Sequence, residues 1–213
     1  MRSYFKSNFL ISAGVVFSGI PLFILALGNF PERTLLKESL SAVTILAFCS
    51  MMGLFYFTRT NSCALKDLKM NRLKKVHKII GYISVTVLLF HPFFLVVPRF
   101  FESGIDPVDA FVTIITTYTS RGVVLGLVAW CLMLILGIIS LARKKLPIKY
   151  KSWRVFHGIL AIAFISAAAW HAIDLGRHAD LAMSTYIILL AAFGVALVVK
   201  TYTSGIIKKT GEI

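Results

Sequence analysis

Six apolar stretches, near residues 8–28, 38–58, 78–97, 122–142, 155–173 and 182–203, leave this chain few ways to fold. Each is about as long as a helix needs to be to cross a hydrocarbon core roughly 30 Å thick. Inside a bilayer every peptide N–H and C=O must find a partner within the protein, and a helix supplies that partner locally. The sequence therefore predicts an all-α integral membrane bundle of six helices, a single domain over 1–213, with the lipid bilayer as its first partner. Composition agrees, since 58% of the residues are hydrophobic and only 15% charged, where a soluble domain carries about a quarter charged. Arg2 and Lys6 give the first run the look of a secretory signal. It is too long for a signal's apolar region and no small-x-small cleavage site follows, so it reads as a membrane helix.

The net charge of +14 would suggest nucleic acid in a soluble protein. Here its distribution points elsewhere. One set of helix ends holds 18 of the 23 lysines and arginines, while the other set holds seven of the nine acidic residues. By the positive-inside rule the basic ends, both termini among them, face the cytoplasm, and no nucleic-acid partner is expected. Cys49 and Cys131 lie in apolar runs and Cys63 in a basic loop, without CxxC or metal-like spacing. They read as unpaired thiols.

Against this background two runs stand out. HKIIGYISVTVLLFH extends from His77 to His91 and HGILAIAFISAAAWH from His157 to His171, each pair fourteen positions apart. Fourteen residues of helix rise about 21 Å and return nearly to the same face. The two helices run in the same direction, so His77 is level with His157 near the cytoplasm and His91 with His171 near the outside. Two imidazoles facing one another at one depth can supply both axial ligands of a haem iron, and bundle cores accommodate such cofactors. The sequence thus predicts two stacked b-type haems: His77 and His157 on the inner iron, His91 and His171 on the outer. Ile80, Gly81, Ser84 and Leu88 share the face of the first pair; Leu160, Ala161, Phe164 and Ala168 share that of the second. Haem propionates need cations or hydrogen-bond donors. Lys74, Lys75, Lys78 and Arg154 are placed to serve the inner haem, and Arg99, Arg121, Arg177 or His178 the outer, although the default reading of His178 is a solvated loop residue. Zinc is disfavoured, because its ligands must cluster within a few ångströms. A proton relay is disfavoured too, because no acidic residue sits in the middle of a span.

Smaller features leave alternatives open. Pro92 removes the backbone donor that would reach the carbonyl of Leu88; it either kinks the helix to aim His91 or marks the start of unwinding. The outer loop from Pro98 to Arg121 contains DPVDAFVTIITTY, suited to a short interfacial helix over the outer haem.

The paired histidines, with the lead-in YKSWRVFHGILAIAFISAAAWH and the helix LKKVHKIIGYISVTVLLFHPF, resemble the ferric reductase-like transmembrane domain. The resemblance covers nearly the whole chain. It implies an oxidoreductase membrane subunit that takes electrons at the cytoplasmic haem and releases them at the outer one. Many members continue into a flavin- and NADPH-binding domain; here the chain stops ten residues after Thr203 and no GxGxxG-like segment occurs. The expected donor is then a separate cytoplasmic flavin reductase, a bound FMN or FAD, or a membrane quinol. The expected acceptor is an outer redox protein, oxygen or a ferric chelate, and the expected location a bacterial inner or plasma membrane. A quinol-linked respiratory cytochrome b is the nearest rival, but no Pro-Glu-Trp-Tyr-like motif is present and two helices, not one, precede the first histidine helix. A non-redox scaffold with incidental histidines is the rival from another class.

Overall fold

The computed structural model describes residues 5–57, 70–101, 104 and 106–210, the side chains of 5–8 and 204–210 excepted. Helices account for all regular structure among these residues. The first span joins α1 (Phe5–Gly14) and α2 (Ile20–Leu27) through a π-helical turn, Val15–Gly19. α3 (Leu35–Gly53) ends in a 3-10 turn over Leu54–Tyr56, and α4 (Met70–Val96) in another over Val97–Phe100. The short α5 (Pro107–Thr116) precedes α6 (Arg121–Leu141), α7 (Tyr150–Leu175) and α8 (Leu181–Thr210). Six helical segments are long and apolar enough to cross a membrane: Phe9–Leu27, Leu35–Tyr56, Met70–Phe100, Arg121–Lys144, Tyr150–Leu175 and Leu181–Thr203.

The third span begins well before the position that hydropathy alone suggested. Arg72, Lys74 and Lys75 interrupt the apolar window, yet they lie on one exposed side of a regular helix. On the other side Leu73 is buried against Phe9 and Phe57. His77 consequently sits two turns inside α4 rather than at its edge. Cys63 and the lysines and arginines of 58–69 lie outside the described residues; Cys49 and Cys131 are unpaired.

The core runs through all six spans, with Phe17, Met52, Leu88, Met133, Phe164 and Met183 in one continuous cluster. α6 and α7 form the most closely packed pair, followed by α3 and α4. The two helices that carry the histidine pairs, α4 and α7, make little backbone contact with each other; both pack on α6. They face one another through side chains.

The π-turn has a chemical origin in Pro21. Within the turn the N–H of Ile20 bonds to the carbonyl of Val15 rather than Val16. The next residue that could serve Val16 is Pro21, which has no N–H. The hydroxyl of Tyr186, from α8, donates to the Val16 carbonyl instead. One side chain thereby repairs the ladder of a helix it does not belong to.

α5 is capped by Asp106, whose carboxylate accepts from the N–H groups of Val108 (2.8 Å) and Asp109 (3.4 Å). Its apolar residues fall on one side, where Phe111 stacks on Phe93 of α4 with ring centroids 5.5 Å apart. Replacing Tyr186 by Phe leaves the Val16 carbonyl without a partner in an apolar setting, a loss of about 1–3 kcal/mol. Unfolding of the Tyr186→Phe variant in mixed detergent micelles should show a destabilisation of that order.

Candidate functional site

α4 and α7 bring the four helix-borne histidines together in two pairs. His91 and His171 face each other with ring centroids 6.2 Å apart and planes inclined by 65°. His77 and His157 lie within electrostatic reach of one another at the other level. Helical periodicity explains the alignment, since fourteen residues bring each histidine back nearly to the face of its partner. Ser84 and Leu88 on α4, with Phe164 and Ala168 on α7, are buried between the levels, on the faces the sequence indicated.

The two outer rings are each held by one edge. His91 Nδ1–H donates to the carbonyl of Leu88 at 2.6 Å, and His171 Nδ1–H donates to that of Gly122 at 2.8 Å. His77 lies beside Leu54, in the 3-10 turn that closes the second span. Ser140 Oγ lies 3.5 Å from His157 Nδ1. A carbonyl can only accept, so it fixes Nδ1 as the protonated nitrogen in the outer pair and leaves Nε2 with a free lone pair. Orientation of a ligating imidazole through its second nitrogen is the usual arrangement at metal sites.

The outer seat is built from glycine. Gly122 and Gly126, one turn apart on α6, form the groove in which the His171 ring lies. A Cβ at Gly126 would meet His171 Nδ1 at 2.5 Å and Cε1 at 2.6 Å, and a Cβ at Gly122 would strike Asp174 and Leu175. Sequence reasoning missed this seat, although the small-xxx-small spacing that marks close helix contacts was there to be read.

The inner level is framed by aromatic rings and guanidinium groups. Trp153 stacks on His157 with centroids 5.0 Å apart, and Tyr150 stacks on Trp153 at 6.0 Å. Arg143 lies over both Tyr150 and Trp153, at 5.5 and 5.4 Å from their centroids, and Arg154 lies 6.0 Å from the Tyr202 ring. The Nε groups of Arg143 and Arg154 are buried without a hydrogen-bond partner. Buried cationic donors in that state favour an anionic occupant. Arg154 is among the cations singled out from the sequence; Arg143 is not, because its position depends on the fold of YKSW beneath it.

The remaining predicted cations are dispersed. Lys74 and Lys78 are exposed on α4, with Lys78 Nζ 5.4 Å from the Tyr82 ring. Arg121 opens α6 beside the carbonyl that holds His171, and Arg99 lies in the 3-10 turn after α4. Arg177 donates to the carbonyl of Pro31. His178 is not the solvated loop residue considered above. It is 4% exposed, its Nε2–H donates to Glu38 at 2.9 Å, and its ring packs edge-on against Phe30. Burial becomes acceptable because the carboxylate satisfies the ring. Arg177 and His178 thus tie the loop after α7 to the α2–α3 connection instead of reaching the outer histidine pair.

The geometry suits a bis-imidazole metal centre. With an imidazole nitrogen about 2 Å from the metal on each side, ring centroids fall about 6 Å apart, close to the observed outer separation. Among the described residues no three His, Cys, Asp or Glu side chains converge on a common point. Haem fits this donor set, because it brings four of its own nitrogens and asks the protein for two axial ligands and partners for its carboxylates. His77, His157, His91 and His171 would be the residues to hold it, and Arg143 and Arg154 would meet its carboxylates at the inner level.

A bundle of six apolar helices with histidines paired across its interior defines an integral, multi-pass membrane protein. Residues 43–168 match the model of the ferric reductase like transmembrane component, and the chain belongs to that family. The match includes His77, His91 and His157 and ends three residues before His171. An uncharacterized protein of Archaeoglobus fulgidus is 44% identical over 160 residues, covering 75% of this chain and 87% of that relative. No solved structure matches the chain.

Substitution of Gly126 by Val places a branched side chain where the His171 ring lies. The Gly126→Val variant should retain its helical content by circular dichroism and, where haem occupies the outer level of wild type, carry about one haem fewer per chain, counted as haem iron against protein.

Proposed function

We propose that the protein carries electrons across the membrane through two b-type haems, from a donor at the cytoplasmic face to an acceptor outside. One observation carries this reading. Two pairs of histidines lie at two levels of the bundle, and in the outer pair the ring-edge contacts occupy one nitrogen of each imidazole and leave the other for a ligand. A structural histidine needs its polar atoms satisfied, whereas a ligand needs one of them kept free. In the outer pair Nδ1 is tied to backbone carbonyls and Nε2 is the nitrogen that remains.

Bound haem would supply a one-electron ferric/ferrous centre at each level. The chain does the rest. His77 and His157 bind at the inner level, and His91 and His171 at the outer, about 21 Å apart along the helices. Arg143 and Arg154 would meet the carboxylates of an inner haem, and their positive charge nearby would favour its reduced form. Leu88, Phe164 and Ala168 exclude water from the space between the levels. An inside-negative membrane potential favours outward electron movement by about 2.3 kcal/mol per 100 mV. Positive-inside topology, with both termini in the cytoplasm, makes the α7 end bearing His157 the entry side. A flavin reductase, a bound flavin or a quinol suits the donor role. A redox protein, oxygen or a ferric chelate suits the acceptor role.

A pyridine haemochrome assay against quantified protein tests the proposal. Wild type should give two haems per chain and His91→Ala one, with the inner haem retained. A well-folded preparation without haem would refute electron transfer and favour the scaffold alternative.

A further inference from the structure

Residue 92 is proline inside a helix that does not stop there. α4 continues through Pro92 to Val96. In a regular helix the N–H of residue 92 bonds to the carbonyl of residue 88, and the pyrrolidine ring removes that donor. The Leu88 carbonyl is nonetheless satisfied, because the ring of His91 turns back along its own helix and donates Nδ1–H to it at 2.6 Å. Leu88 is itself buried, so the carbonyl has the protein rather than water around it. An unpaired carbonyl there would be costly.

We propose that Pro92 is a positioning residue for His91: by withholding a backbone N–H it reserves the Leu88 carbonyl for the imidazole, which fixes the ring's tautomer and aims Nε2 at His171. The inference rests on the two-haem reading for its consequence, although the hydrogen bond itself does not. Three features bear on it. The distance is short for a nitrogen–oxygen bond, as expected where the acceptor has no competing helical donor. The ring faces His171 with centroids 6.2 Å apart and planes inclined by 65°, an orientation that the bond to Leu88 holds. The residue after Pro92, Phe93, is anchored by its stack on Phe111, so the helix beyond the proline stays in place without the missing bond.

The device has an electronic consequence. An imidazole that donates to a carbonyl is a more basic ligand and stabilises ferric over ferrous iron. A second donor to the same carbonyl weakens the ring's bond. Pro92→Ala supplies that donor and extends a helix that already runs on both sides, so it should fold.

The experiment compares wild type, Pro92→Ala, and a chain in which residue 92 is lactic acid, the ester counterpart of alanine, introduced by nonsense suppression. The ester shares alanine's shape and, like proline, has no N–H. Low-temperature electron paramagnetic resonance and a redox titration of haem-loaded protein report on each iron separately. In Pro92→Ala the outer haem should change its largest g value and move to a higher midpoint potential, with the inner haem unchanged, and the ester chain should return both to wild-type values. If Pro92→Ala matches wild type, or if the ester shifts as far as alanine does, the withheld N–H is not what positions His91 and the inference is overturned. Imidazole nitrogen resonances of haem-free protein separate this failure from failure of the electron-transfer reading. Nδ1 of His91 should be the protonated nitrogen in wild type and in the ester, and a tautomer mixture should appear in Pro92→Ala, whether or not haem binds. Equal tautomer populations in all three would refute the proposal on its own terms.

Discussion

An apolar solvent offers a peptide group nothing to bond to, and the conformation of this bundle follows from that at each place where its helices are irregular. Pro21 and Pro92 each remove one donor from a membrane helix. At the first, the ladder slips into a π-turn and the Val16 carbonyl is taken by Tyr186. At the second, the ladder keeps its register and the Leu88 carbonyl is taken by His91. Side chains that repair the backbone are thereby fixed in place, and one of these two is a histidine of the candidate site. The bond that makes α4 tolerable in lipid at Pro92 also orients the His91 ring.

The class of fold was legible in the sequence because lipid imposes a length and a polarity that six segments met. The histidine pairs were legible because helical geometry turns a spacing of fourteen into one face. What surrounds the histidines was harder to read. The start of α4 escaped the hydropathy window because Arg72, Lys74 and Lys75 are charged, while only Leu73 and its burial against Phe9 and Phe57 show that the segment packs. Arg143 acquires a role only once Tyr150 and Trp153 stack beneath it. His178 looked like a loop residue because its partner, Glu38, lies 140 positions away. These are contacts between distant parts of the chain, and no local pattern encodes them.

Glycine marks the boundary between the two kinds of information. Gly122 and Gly126 were visible as letters with a suggestive spacing, but small residues also promote lipid-facing helix contacts and ordinary packing. That one of them seats an imidazole follows only from the approach of α7, whose His171 ring occupies the volume a Cβ would need. The tight packing of α6 on α7 is thus part of the site rather than background to it.

The two levels are built on different principles, and this bears on what each can do. The outer rings are both tied to carbonyls of rigid helices, at 2.6 and 2.8 Å. Such bonds hold orientation against disturbance from solvent or from a docking partner. In the inner pair His157 relies on a stack with Trp153 and a hydroxyl 3.5 Å away. Stacking fixes a plane less strictly than a hydrogen bond to backbone fixes an atom. The guanidinium groups of Arg143 and Arg154 lie against the same layer with unpaired buried Nε donors. Stacked aromatic and guanidinium groups therefore mark the inner level, and rings tied to backbone mark the outer. On the proposed reading, a cytoplasmic donor meets a site whose electrostatics can respond to its arrival, and an outer acceptor meets one whose geometry is fixed in advance.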